Sequence, residues 1–226
     1  MVRNPLREQK TLLSCLKKIL PLDTVLFLFQ FFRHPQDIGS LTPSSAALAD
    51  AMTRYVNNEN PQSEKKHYLE AGAGTGAFTR AIIEKLGPND HLDIIEINQK
   101  FCERLKKKYM HYENVSIHVG SVLEWKPHYQ YDAIVSSLPF NAFRSQFVSD
   151  IYEHYRKITK PGGVVSYCEY MALPGIRKVF LKPSARKELQ ETLDVSSSFE
   201  KNYEIREDKV FANFPPASVH HCQFPT

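Results

Sequence analysis

No Cys-x-x-Cys pair occurs in this sequence; its four cysteines, Cys15, Cys102, Cys168 and Cys222, lie far apart. That spacing argues against a disulfide framework and a thiolate zinc site, and it fits reduced thiols in a cytoplasm. No Gly-Lys-Ser/Thr follows the glycine-rich segment, which excludes a nucleotide phosphate loop. Internal repeats and low-complexity tracts are absent as well. Long apolar runs are also missing. The richest stretch, Ile19–Phe32, contains Pro21, Asp23 and Gln30, and as a helix it would reach about 21 Å against a hydrocarbon core of ~30 Å. Lys10–Cys15 does not read as a secretory signal, because only Thr11, Leu12 and Leu13 separate Lys10 from Ser14 where ~7–15 apolar residues are needed.

What is present suits one soluble α/β domain with an N-terminal extension: 226 residues, 42% hydrophobic and 24% charged. The net charge of +4 is local. Residues 1–36 carry six basic and two acidic side chains, and the remainder carries 23 of each. An anionic partner is therefore expected at the N-terminus, where Lys17-Lys18-Ile19-Leu20 and Val25–Arg33 combine basic residues with Phe and Leu. That pattern is read as an amphipathic segment lying in a membrane interface, in preference to a helix packed on the core.

After a loop over residues 34–43, Ser44 or Ser45 is placed to cap a helix carrying Leu48, Met52, Tyr55 and Val56. Alternation then predicts strand His67–Glu70, helix Ala77–Leu86, strand His91–Ile97, helix Asn98 to about Lys108, strand Val115–Val119 and strand Tyr131–Ser136. A helix near Phe147–Ile158, a turn at Lys160–Gly163 and strand Val164–Cys168 follow. Two extended runs, Tyr203–Asn213 and Ser218–Phe224, would add an antiparallel strand to an otherwise parallel sheet.

Glu70-Ala71-Gly72-Ala73-Gly74-Thr75-Gly76 joins the first strand to the first crossover helix, where a parallel sheet presents its ligand crevice. Position 77 is Ala, so the dinucleotide spacing fails, and the glycines are read as admitting a ligand of little anionic charge. Glu96 ends the second strand, where a carboxylate accepts hydrogen bonds from both ribose hydroxyls. The pair specifies a nucleoside.

These residues resemble the class I S-adenosylmethionine-dependent methyltransferases. The resemblance implies a Rossmann-like seven-stranded, mostly parallel sheet with a reversed last strand and helices on both faces. It also implies S-adenosylmethionine as cofactor, with Glu70 near its cationic methionine end, Gly72, Gly74 and Gly76 beneath it, Glu96 on the ribose, and Ser121 and Val122 at the adenine. Ser121 departs from the acidic residue common there. Ser137-Leu138-Pro139-Phe140 stands where amino-methylating relatives carry Asn/Asp-x-Pro-Tyr/Phe. Ser137, Pro139 and Phe140 are the expected catalytic residues: Pro139 restrains the turn and Phe140 offers cation–π stabilisation to the amine.

A further resemblance, to bacterial phospholipid N-methyltransferases, runs from about Val25 to Phe224, through Leu28–Pro35, Ile38–Ser45, Ser137–Pro139 and Asn213–Val219. It implies stepwise methylation of phosphatidylethanolamine toward phosphatidylcholine. It divides the chain into a membrane-binding extension, residues 1–43, and a methyl-transfer domain, residues 44–226, with Ser40 and Ser44 as cofactor contacts. The expected partners are an anionic membrane surface and an aminophospholipid, without nucleic acid or metal, and the expected location is cytoplasmic, peripheral on the inner face of the membrane. Tyr167, Glu169 and Tyr170 are either lining residues or ordinary strand residues, and the general base stays open. An rRNA adenine N6-methyltransferase and a non-catalytic membrane-associated binding protein remain as alternatives; the neutral body of the domain disfavours RNA.

Overall fold

The computed structural model describes residues 45–57, 64–171, 183–213 and 215–225. Ser40, Ser44 and the N-terminal amphipathic segment lie outside them. The elements run α1 (Ala46–Met52), β1 (His67–Ala71), α2 (Thr79–Lys85), β2 (His91–Glu96), α3 (Gln99–Tyr109), β3 (Val115–Val119), β4 (Tyr131–Ser136), α4 (Ser145–Ile158), β5 (Thr159–Tyr170), α5 (Pro183–Tyr203), β6 (Glu204–Val210) and β7 (Ala217–Gln223). Short 3₁₀ turns occupy Val122–Glu124 and Phe140–Ala142.

The seven strands among the described residues form one sheet in the order β3-β2-β1-β4-β5-β7-β6. β1 pairs in parallel with β2 and β4, β2 with β3, and β4 with β5, whereas β7 runs antiparallel to both β5 and β6. The order reverses at β1, so the ends of β1 and β4 open the crevice in which such sheets bind ligands. The sheet is covered on both faces. Leu48 and Met52 of α1, Ile82 of α2 and Leu105 and Tyr109 of α3 pack with Tyr68, Leu92 and Ile94 on one side. Val148, Ile151 and Tyr155 of α4 and Phe199 of α5 pack with Leu69, Ile134 and Val165 on the other.

The local chemistry explains most boundaries. Ser45 caps α1, its hydroxyl accepting from Leu48 N–H at 3.2 Å. Asn98 caps α3 through Lys100 N–H at 2.9 Å. Between the two, Gly72 and Gly74 break the path in the left-handed region.

Two expectations change. Lys160–Gly163 does not end a helix-to-strand turn but lies inside β5, which pairs with β4 on both sides of it, at Thr159 with Tyr131 and at Val164 with Ala133. The extra residues bulge out at Gly162, whose φ is +77°. The helix α5 has no counterpart in the sequence reading. Its buried stripe is Leu189, Thr192, Ser196 and Phe199, half of it hydroxylic, which mutes the apolar periodicity. The two hydroxyls are satisfied by tertiary partners: Thr192 donates to the carbonyl of Phe143 at 3.0 Å, and Ser196 bonds Tyr152 at 3.2 Å.

Candidate active site

The glycine loop leaves β1 with Gly72, Gly74 and Gly76 at φ of +74°, +56° and +86°. Gly72 N–H donates to the Ile95 carbonyl at 2.8 Å, tying the loop to β2. A Cβ at Gly72 would meet Leu138 Cδ2 at 2.8 Å, and one at Gly76 would meet Leu105 Cδ2 at 2.9 Å. These glycines therefore clear space for other parts of the protein, Gly72 for the Ser137–Phe140 turn and Gly76 for α3, and are not simply bare backbone offered to a ligand. Gly74 points its N–H at the next strand, donating to Glu96 Oε2 at 2.8 Å.

Glu96 is 6% exposed and its other oxygen accepts from Asn98 N–H at 2.8 Å. Each carboxylate oxygen keeps a lone pair for a further donor. Burial raises its pKa above the ordinary range, against the hydrogen bonds from Asn98, Gly74 and Ile97. Ser121 caps the 3₁₀ turn after β3, its hydroxyl accepting from Leu123 N–H at 3.3 Å, and Val122 is buried behind it. Gly120 N–H bonds the Glu96 carbonyl at 3.1 Å, so the Ser121 turn and Glu96 share one edge.

Glu70 is fully buried. Thr79 donates to its Oε2 at 2.6 Å, while Oε1 has no partner among the described residues. Burial pushes its pKa up to about 8, with Glu96 adding to the shift and Thr79 opposing it. A buried carboxylate with an orphaned oxygen is costly unless a donor or cation arrives. Beside the glycine loop and Glu96, that vacancy in hydrogen bonding suits a ligand with a cationic amino group and a ribose.

The turn after β4 is bound to β1, Ser137 N–H donating to the Ala71 carbonyl at 2.9 Å. Pro139 precedes the Phe140–Ala142 turn, as its restrained geometry suggested. Phe140 requires a correction. Its ring is 1% exposed and lies 5.1 Å from both Tyr152 and Tyr167, so it is a member of the aromatic core and not an open face for an amine. Two polar atoms at this edge, Ser137 Oγ and Glu169 Oε1, are buried without a partner among the described residues. Asn141, which directly follows Phe140, lies close enough to the Glu169 carboxylate to lower its pKa.

The unpartnered oxygens of Glu70, Ser137 and Glu169 thus sit at the C-terminal ends of β1, β4 and β5, three neighbouring strands. Among the described residues no group of three or more His, Cys, Asp or Glu side chains is placed to hold a metal ion. His220 and His221 face opposite sides of the sheet, the first stacked on Tyr167 at 5.2 Å and the second bonded to Ser166 at 2.8 Å.

A family model described as a methyltransferase domain matches residues 69–163, the span from the glycine loop through the acceptor turn to the β5 bulge. That span holds the residues through which the chain resembles the class I S-adenosylmethionine-dependent methyltransferases. Among curated relatives, this chain is 27% identical over 207 residues to the ornithine lipid N-methyltransferase of Singulisphaera acidiphila, covering 89% of this chain and 96% of that one. It is also 27% identical over 165 residues to malonyl-[acyl-carrier protein] O-methyltransferase 1 of Ilyobacter polytropus, covering 71% of this chain and 56% of that enzyme. The fold is shared with the O-methyltransferase TomG of Streptomyces achromogenes, solved with S-adenosylmethionine, at a TM-score of 0.61 and 15% identity over 100% of both chains. It is shared too with the N-methyltransferase NodS of Bradyrhizobium japonicum WM9, at a TM-score of 0.57 and 15% identity over 79% of this chain and 94% of that one.

Proposed function

We propose that this methyltransferase acts on the headgroup amine of a membrane aminolipid, phosphatidylethanolamine foremost, and works from the inner membrane surface. The match along nearly the full length of an enzyme named for N-methylating an ornithine lipid carries this reading. Features of the crevice rim support it. The chain enters α1 there, Ser45 N–H donating to Asn213 Oδ1 at 3.0 Å just past the end of β6, so the basic, Phe-rich extension is joined to the domain at the substrate edge. Phe211 and Met171, at the same ends of β6 and β5, are 70% and 42% exposed. No helix among the described residues is long and apolar enough to cross a membrane, which is compatible with peripheral attachment.

Bound S-adenosylmethionine supplies an electrophilic methyl group on its sulfonium. In this reading Glu70 faces its amino group, Gly72 and Gly74 shape the backbone beneath it, Glu96 takes the ribose hydroxyls, and Ser121 and Val122 border the adenine. Ser40 and Ser44 are proposed to close over it from the N-terminal side. The Ser137–Phe140 turn bounds the acceptor, with Pro139 and the buried Phe140 ring fixing its shape, and rate enhancement comes mainly from alignment of the two reactants.

The test is transfer of labelled methyl groups to vesicles containing either phosphatidylethanolamine or an ornithine lipid, with ribosomal RNA as the comparison and products separated by chromatography. Labelled methylated lipid is expected. Label in RNA alone would overturn the lipid reading and favour the adenine alternative; label in the ornithine lipid alone would keep the reaction and replace the lipid.

A further inference from the structure

We infer that Glu169, beside Asn141 of the acceptor turn, receives the ammonium of the methyl acceptor and removes its proton before methyl transfer. The inference rests on the amine-acceptor reading above and assigns the base that sequence left open.

Position comes first. Glu169 lies two residues past Tyr167, which pairs with Ser136 at the end of β4, and strand alternation puts Tyr167 and Glu169 on the same face. That face holds the acceptor turn: the Phe140 ring meets the Tyr167 ring edge-on at 5.1 Å, and Asn141 of the same turn lies near enough to the Glu169 carboxylate to lower its pKa. The turn that bounds the acceptor therefore also borders the carboxylate.

Charge comes second. Glu169 Oε1 is buried without a partner, and among the described residues no Lys or Arg forms an ion pair with this side chain. The titratable groups that face it are Glu200 of α5, His220 of β7, Tyr152 of α4 and its neighbour Cys168. Glu200 accepts from the Tyr167 hydroxyl at 2.7 Å, and His220 is engaged by Glu204 at 2.6 Å. Among the described residues the region thus offers three carboxylates against one imidazole. Asp132, a partly buried carboxylate elsewhere in the sheet, has Lys160 at 2.9 Å. Among the described residues Glu169 has no such cation, and a primary ammonium would provide it while an anionic or hydroxylic acceptor would not.

Proton affinity agrees with the geometry. Burial raises the Glu169 pKa, Glu200 adds to the rise, and His220 and Asn141 oppose it. A carboxylate of raised pKa is a better base toward an ammonium than an exposed one. The balance is simple. The ammonium proton passes to Glu169 Oε1 and frees the nitrogen lone pair; that pair forms the new N–C bond as the C–S bond breaks, its electrons remaining on sulfur. Glu169 then returns the proton to solvent, and the methylated ammonium is ready for another round.

The test uses the full chain on vesicles of phosphatidylethanolamine and phosphatidylglycerol in equal parts, with labelled methyl transfer followed across pH and S-adenosylmethionine affinity measured by calorimetry. Glu169→Gln is expected to lower kcat/KM ~100-fold near neutral pH, the scale of a lost general base. Its rate should climb toward that of the wild type only as pH approaches the ordinary amine pKa of about 10. Cofactor affinity should stay within about twofold, and Glu169→Asp should retain part of the neutral-pH rate. A glutamine variant with the wild-type rate and pH profile overturns the assignment. So does a loss that is constant with pH and shared by the aspartate variant, since a structural role predicts that. If the wild type itself methylates no lipid at any pH, the aminolipid reading fails first, independently of Glu169.

Discussion

Glu70 and Asp93 sit on adjacent strands, are both no more than 2% exposed, and differ in everything that surrounds them. Burial alone would raise the Asp93 pKa, but hydrogen bonds from His91, Tyr129, His118 and Tyr131 hold it well below the usual carboxylate range. Tyr129 and Tyr131 donate to Oδ2 at 2.6 and 2.9 Å, and His118 Nε2 lies 2.9 Å from Oδ1. Asp93 is a satisfied structural group. Glu70 has one donor, Thr79, and an orphaned oxygen. Since its folded pKa of about 8 lies above the unfolded value, the folded state binds the extra proton. Its stability contribution is present below the unfolded pKa and is lost as pH rises through the folded one, at up to ~1.4 kcal/mol per pH unit. Urea unfolding of the cofactor-free protein should therefore show stability falling between about pH 5 and 8, and Glu70→Gln should flatten that slope while weakening S-adenosylmethionine binding. An unchanged slope in the variant would remove Glu70 as its source.

At the level of elements, β1 to β4 were legible because each is a short run rich in β-branched, aromatic and aliphatic residues with turn formers such as Gly72, Asn89, Asn114, Gly120 and Pro139 close by, and β3 and β4 fall at their expected residues. β5 was read short and α5 was missed for the reasons its bulge and its hydroxyl-lined face give. The contact between the glycine loop and the acceptor turn was not legible either, since Gly72 and Leu138 are far apart in the chain. Any side chain at position 72 suffers twice: from a φ of +74° and from Leu138. Gly72→Ala should lower both Tm and cofactor affinity. Adding Leu138→Ala should restore the part due to contact, leaving the backbone cost of roughly 1 kcal/mol. Strictly additive losses in this double-mutant cycle would show that the two elements do not press on each other.

For the whole molecule, the basic excess of residues 1–36 and the balanced remainder predict reversible, salt-sensitive attachment to anionic bilayers, at about 1 kcal/mol per basic residue near the surface. Co-sedimentation with phosphatidylglycerol vesicles should fall steeply on removing residues 1–33 or on combining Lys17→Glu with Lys18→Glu. Unchanged binding would shift the anchor to Phe211 and Met171 on the domain rim. Sequence by itself determined the alternating α/β order, the Gly-x-Gly-x-Gly loop, the acid ending β2 and the location of the charge, because these depend on local periodicity and on residues within one strand–turn–helix unit. Only the tertiary structure decided that Phe140 is core, that Gly72 makes room for Leu138, and that Asn141 meets Glu169. Those facts arise where β1, β4 and β5 come side by side, and which buried oxygen lacks a partner depends on every element that packs around it.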